Sequence, residues 1–146
     1  MVVIAIMAII MTMAIPAIHR VANPDSIRQI AEDMVAACSH ARAHAILQNR
    51  TVEMVVKPES VSSPSFTRNF SDKLVIEALR HNFVDILSEP NVEDARVRFY
   101  PNGTSDEFVV VFRRLDTDEY CLINLEVVTG TADVSFDRNE WLKMVR

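Results

Sequence analysis

The hydrophobic positions of this chain fall into three regimes. From Met1 to Ile18 the sequence MVVIAIMAIIMTMAIPAI holds no charge and no glycine, and Thr12 is its only hydroxyl. A helix over residues 2–18 would be apolar on every side and about 25 Å long at 1.5 Å per residue. Further on the pattern becomes amphipathic. Ile27, Ile30, Met34, Ala37, Cys38, Ala41 and Ala45 recur at steps of three and four, which is one face of a helix. Arg28, Glu32, Asp33, Ser39 and Arg42 fall mostly off that stripe. Asn23-Pro24 offers a cap and a first-turn proline, and Ser26 with Gln29 fits a capping box, so a helix is expected from about residue 25 to 49. Ile27, Ile30, Met34, Cys38, Ala41 and Ala45 are its expected packing residues. Several of them are small, so something should approach this face closely.

Beyond Arg50 the period drops to two and β-formers dominate. Strands are expected at Thr51–Lys57 and Leu74–Leu79, with a possible one at Phe83–Leu87. Pro58–Asp72, rich in serine, reads as a surface loop, and Glu89-Pro90-Asn91 as a turn. Val97 and Phe99 alternate with Arg96, Arg98 and Tyr100 in a third strand. Asn102-Gly103 then predicts a tight hairpin with Phe108–Phe112 as the return strand. Cys121, Ile123, Leu125 and Val127 lead to a second hairpin at Thr129-Gly130, closed by Ala132–Phe136. Both glycines of the chain thus fall in turns. The fold class expected is α+β: a long N-terminal hydrophobic helix continuing into an amphipathic helix packed on an antiparallel sheet.

Composition divides the chain in two. Residues 1–20 form the apolar unit, and residues 21–146 one globular unit, β-rich from 51 to 146. All twenty carboxylates and fourteen of the fifteen lysines and arginines lie beyond Arg20, leaving the body at net −6 with histidine neutral. That balance argues against nucleic acid, which needs clustered cations against phosphate. The two cysteines, Cys38 and Cys121, can form one disulfide or remain two buried thiols. The absence of CxxC removes support for zinc or redox chemistry through cysteine.

The apolar run is a few residues short of the roughly 20 that span a bilayer core. It has no basic residue before it and a His19-Arg20 pair after it. Read as a true start, the positive-inside rule would leave Arg20 and the body in the cytoplasm. The shortness and the missing basic flank favour instead a chain whose beginning lies upstream. Pro16 should kink or locally loosen a helix here.

Four chemical readings compete with ordinary surface composition. His40 and His44 have a spacing that can serve one metal, with no third ligand nearby in sequence. Asp133, Asp137, Asn139 and Glu140 offer oxygens for calcium without the loop glycine such sites use. Arg113, Arg114, Trp141, Lys143 and Arg146 could form a basic-aromatic patch, but Asp116, Asp118, Glu119, Asp137 and Glu140 stand close in sequence and would oppose phosphate. No GxSxG and no glycine-rich phosphate loop occurs. No enzyme activity, cofactor or metal is therefore expected.

The N-terminal run resembles the helix of type IV pilins and type II secretion pseudopilins. In those families a basic leader, a glycine at the cleavage point and Phe-Thr-Leu-Ile-Glu precede such a run. Aligning Pro16 with the family's helix proline puts Met1 about six residues past the cleavage point. The segment CSHARAHAILQNRTVEMVV (Cys38–Val56) is similar to the GspH/FimT pattern through Ala41, Arg42, Ala45, Asn49, Arg50 and Val52. VRFYPNGTSDEF resembles that family's aromatic-x-Pro-x-Gly hairpin in Phe99, Pro101 and Gly103. INLEVVTGTADV resembles its closing hairpin in Thr129 and Gly130.

The resemblance implies a pilin-like fold and a minor pseudopilin of a type II secretion pseudopilus, acting in filament initiation or at the tip. It implies a single-pass inner-membrane protein with its globular domain in the periplasm. The implied partners are other pseudopilins or pilins, the inner membrane, and a prepilin peptidase acting through a leader outside this sequence. Val2, Val3, Ile4, Ile6, Ile9, Ile10, Met13, Ile15, Pro16 and Ile18 are the implied membrane and filament-packing residues. The alternatives are a minor type IV pilin serving pilus assembly or DNA uptake and, more remotely, an anchored periplasmic enzyme.

Overall fold

The computed structural model describes residues 26–144. The first described element is helix α1, Ile27–Leu47. Ser26 caps it: the hydroxyl oxygen accepts the Gln29 N–H at 3.2 Å, satisfying one of the donors a helix start leaves open. Its other end is closed by Asn49 in the left-handed region at φ 49. There the Arg50 N–H reaches the Ala45 carbonyl at 3.2 Å and the Asn49 N–H reaches that of Ile46 at 3.3 Å. This is a Schellman stop made with asparagine in place of glycine. The helix then gives way to β1 (Val52–Lys57), where Val52, Met54 and Val56 are buried between exposed Glu53 and Lys57.

Among the described residues, nine strands form two antiparallel sheets. The first runs β3-β2-β1-β6, with β2 at Ser60–Ser63, β3 at Phe66–Asn69 and β6 at Ala95–Phe99. The second runs β5-β4-β7-β8-β9, with β4 at Leu74–His81, β5 at Val84–Asp85, β7 at Phe108–Arg114, β8 at Tyr120–Leu125 and β9 at Ala132–Ser135. Helix α1 packs against strands of both sheets, so the described body is α+β, a helix on antiparallel sheets. Ile27, Ile30, Met34, Cys38, Ala41 and Ala45 all lie buried in the main core, joined by Ala31 and Ala37. Their small volume lets the helix axis come close to the strands, and Phe99, Phe108 and Phe112 fill the remaining space.

Strand β7 is buried over five consecutive residues, Phe108–Phe112. Phe108, Val110 and Phe112 face the main core, while Val109 and Val111 join Leu122 on the opposite face. That opposite face is covered by a second helix, α2 (Arg138–Met144), through Trp141. The continuous apolar run is what a strand covered on both sides requires.

Both cysteines are free and buried. Burial in apolar surroundings pushes each thiol up from 9.0 to about 12, so both are poor nucleophiles at neutral pH.

Several sequence expectations are corrected. Pro58–Asp72 is not a loop. It contains β2 and β3, joined by a two-residue turn at Pro64-Ser65, with Ser63 opposite Phe66. Serine-rich composition hid the pairing because these short strands bury little beyond Val61. The Asn102-Gly103 turn forms, but β6 and β7 do not make one hairpin: β6 pairs with β1, and β7 lies in the other sheet. Only a single bridge, Phe99 to Ser105, flanks the turn. The chain then crosses between sheets, because Phe99 and Phe108 bury in one core from different layers. Asp137–Glu140 are exposed and open a short helix that periodicity did not predict, where an Asp137 carboxylate oxygen accepts the Asn139 N–H at 2.9 Å. The expectation of a single-pass inner-membrane protein with a periplasmic body is also overturned: no helix among the described residues is long and apolar enough to cross a membrane. Val2, Val3, Ile4, Ile6, Ile9, Ile10, Met13, Ile15, Pro16 and Ile18, and the cap Asn23-Pro24, lie outside the described residues.

The close approach of α1 can be probed directly. Ala41→Leu should lower unfolding stability by about 1–3 kcal/mol through overpacking, read as a shifted midpoint in urea. An unchanged midpoint would mean that this face has spare room.

Candidate functional site: an arginine between two glycine turns

The resembling segments are separate in sequence, with Arg42 and Gly103 61 residues apart, and the fold brings them to one place. Arg42 sits one residue past buried Ala41, near the C-terminal end of α1. Its Nε donates to the Gly103 carbonyl at 3.2 Å. Gly103 holds φ 87 in a turn closed by Tyr100 N–H to the Thr104 carbonyl at 2.9 Å and Gly103 N–H to the Tyr100 carbonyl at 3.0 Å. The Asn102 side-chain oxygen stiffens this turn by accepting from Thr104 N–H at 3.1 Å and Thr104 Oγ1 at 2.7 Å.

Gly130, at φ 62, belongs to the β8–β9 connection and donates to the Glu126 carbonyl at 2.8 Å. A Cβ placed on Gly130 would stand 2.5 Å from the Gly103 carbonyl oxygen and 3.1 Å from Arg42 Cδ. The two turns therefore press backbone against backbone, with the Arg42 stem across the contact. Ser105 joins them further: it is 2 % exposed, its N–H donates to the Val127 carbonyl at 3.0 Å, and its hydroxyl donates to the Glu126 carbonyl at 3.4 Å. One guanidinium, two glycines and one serine thus couple the helix to the turn after β6 and to the turn after β8.

The flank of the junction carries its own network. Tyr100 donates its hydroxyl to Asp106 Oδ1 at 2.9 Å, and Asp106 Oδ2 accepts the Arg98 N–H at 3.1 Å. The bond to Asp106 holds the Tyr100 phenol above its ordinary value. His81 Nε2 stands 3.4 Å from the same carboxylate.

The other expected candidates disperse. His44 pairs with the Gln48 amide at 3.1 Å, whereas His40 lines an open groove between α1 and β9. That groove, about 560 Å³, also takes in Val35, Ala36, Val134 and Phe136, and Arg28 lies over the Phe136 ring at 5.2 Å. Asp133 and Glu140 share a different cleft with Lys143. Arg113 is held between Glu77 and Asp118, each at 2.7 Å, and Arg114 against Asp116 at 2.6 Å. Trp141 stacks on Tyr120 at 5.9 Å, and Arg138 and Arg113 lie over the same ring. Arg146 lies outside the described residues. Among the described residues, no group of three or more His, Cys, Asp or Glu side chains is placed to hold a metal ion.

Chemically, the junction positions chain segments. Its polar groups are a guanidinium, a hydroxyl and backbone amides, and they are used on one another. The sequence pointed to Arg42, Gly103 and Gly130 but gave no hint of Ser105, because a serine in a polar turn carries no signal of its burial.

The two glycines should differ in sensitivity. Gly130→Ala meets a backbone carbonyl and a left-handed φ, and should cost about 2 kcal/mol or more. Gly103→Ala meets side chains alone, the Arg42 guanidinium at 3.3 Å and Ile46 at 3.7 Å, which can shift slightly, so its cost should come mainly from the backbone conformation, about 1 kcal/mol. Denaturant unfolding of both variants checks the order, and equal costs would remove the turn-on-turn contact from the account. No protein-family model, curated protein or solved structure matches this chain.

Proposed function

We propose that the chain is a structural, non-catalytic subunit of a pilin-like filament, a minor pseudopilin of the GspH/FimT type in a protein secretion machine. The observation that carries this reading is the junction at Arg42. The three segments whose residues resemble that family, Ala41–Val52, Phe99–Gly103 and Thr129-Gly130, meet through Arg42, Gly103 and Gly130. Chance similarity in three short segments gives no reason for them to touch. A shared role in fixing one helix against two turns does.

The division of labour follows from the physics. The apolar run Met1–Ile18 would, as a helix, be hydrophobic on every side, which suits burial among identical or related helices. The body fixes what that helix presents outward. Proteins of this kind form hetero-oligomers with other pilins or pseudopilins, so those are the proposed partners. Packing in the filament is assigned to Val2–Ile18. The pairing of Arg113 and Arg114 with carboxylates leaves little free cationic surface there, which favours the secretion reading over DNA uptake.

Deleting the chain from its own cells separates the readings. Loss or sharp reduction of protein export, together with co-purification of the native chain with other pseudopilins, is the expected result. Retained export with loss of surface pili would contradict the proposal and assign the chain to a pilus. Turnover of a substrate by the purified chain would contradict its structural role.

A further inference from the structure

The segment from Phe83 to Asp94 departs from the rest of the surface in three ways. The first is conformational. His81 pairs with Val84 across a two-residue turn, so Asn82 and Phe83 form the tip between β4 and β5. Both are left-handed, at φ 49 and φ 66. Such tips favour asparagine followed by glycine. A phenylalanine in the second position is sterically costly. Its ring is 82 % exposed, so packing within the body does not offset that cost. The tip is nonetheless fixed: Glu107 accepts the Asn82 N–H on its carbonyl at 3.0 Å and the Phe83 N–H on its carboxylate at 2.9 Å. A strained, pre-organised aromatic presented to solvent is the form of an interface anchor.

The second is apolar exposure. Val84, Leu87 and Val92 follow within ten residues of Phe83, each at least 40 % exposed. The short strand β5 is also the outer strand of its sheet.

The third is charge. Beside this ridge lies a cleft of about 720 Å³ floored by Leu79, Ile86, Leu87 and Val92. Glu59, Glu89, Glu93 and Asp94 line it, against Lys57 and Arg96. Asp94 is answered by Arg96 at 3.5 Å, but Glu59, Glu89 and Glu93 have no ion pair among the described residues. A cleft with an apolar floor and unanswered carboxylates at its edge complements a segment that is both aliphatic and basic.

We propose that the β4–β5 tip and the adjoining cleft form a docking surface for an extended protein segment carrying lysine or arginine beside aliphatic side chains. The surface is distinct from the junction at Arg42, and the proposal does not depend on the filament reading. Phe83, at the tip outside the cleft, supplies the aromatic anchor, exposed Leu87 and Val92 the apolar contact within it, and Glu89 and Glu93 the charge that selects the partner.

The test uses the full chain in a mild nonionic detergent and a fluorescent hexapeptide of alternating lysine and leucine, read by anisotropy. Two control peptides replace lysine by glutamate or leucine by serine. The lysine–leucine peptide should bind at least tenfold more tightly than either control, and added salt should weaken it. The double variant Glu89→Lys, Glu93→Lys should weaken it tenfold or more, whereas Glu140→Lys, outside the cleft, should not. Phe83→Gly should raise the melting temperature by several degrees, because glycine relieves the left-handed strain, while also weakening the peptide tenfold. Absent binding, equal binding of the lysine–serine peptide, or binding indifferent to the cleft variants would overturn the proposal. A lowered melting temperature in Phe83→Gly would reassign that ring to folding and overturn its role as the anchor.

Discussion

The architecture depends on how closely one helix can approach two sheets at once. Ala31, Ala37, Cys38, Ala41 and Ala45 present almost no volume beyond their Cβ atoms, and each is at most 2 % exposed. A stripe of leucines there would hold the strands off and open the core between Phe99, Phe108 and Phe112. Close approach also brings the Arg42 stem to the turns, because its Nε can reach the Gly103 carbonyl only if the helix lies near the sheet ends. The two features reinforce each other. Small side chains let the helix in, and Arg42 fixes where along the sheets it stops.

Around that contact the polar groups are arranged to limit slippage. Asp33 on α1 is paired with Arg68 on β3 and accepts from Gln29 at 3.1 Å, anchoring the helix start to the first sheet. Arg42 anchors its other end to the turn that leads from the first sheet toward the second and to the β8–β9 turn within the second. The Schellman stop at Asn49 then turns the chain into β1 while pairing the Ala45 and Ile46 carbonyls. A helix restrained at both ends transmits orientation well. In the proposed filament subunit a body with a helix fixed in this way would keep a constant attitude beside its neighbours.

The sequence carried α1 well because a 21-residue helix repeats its pattern often enough to be read, and because Ser26 and Asn49 are helix-end residues acting in their usual roles. It carried β1 through clean alternation, and β4, β8 and β9 through their β-forming residues between turn signals. It misread Ser60–Asn69, where serine and threonine occupy strand positions and little apolar surface is buried. It also misread the partner of Phe108–Phe112. A glycine turn announces a reversal, but which sheet receives the next strand is decided by burial on both sides of that strand, and alternation does not encode this. Helix α2 escaped notice because a seven-residue helix offers less than two turns of pattern and Trp141 is its one large anchor. For the site, Arg42, Gly103 and Gly130 stood out as motif residues, whereas their mutual contact and the burial of Ser105 exist only in three dimensions. The Phe83 tip was equally hidden, since asparagine followed by phenylalanine is not a usual turn signal.

The central claim is that Arg42 couples the helix to two turns that are not otherwise joined through α1. Amide hydrogen exchange of the Arg42→Ala variant, compared with the native chain, tests it most directly. The account predicts faster exchange together at Gly103, Ser105 and Gly130, whose amide bonds span both turns. Faster exchange confined to the last turn of α1, with those three amides unchanged, would contradict it.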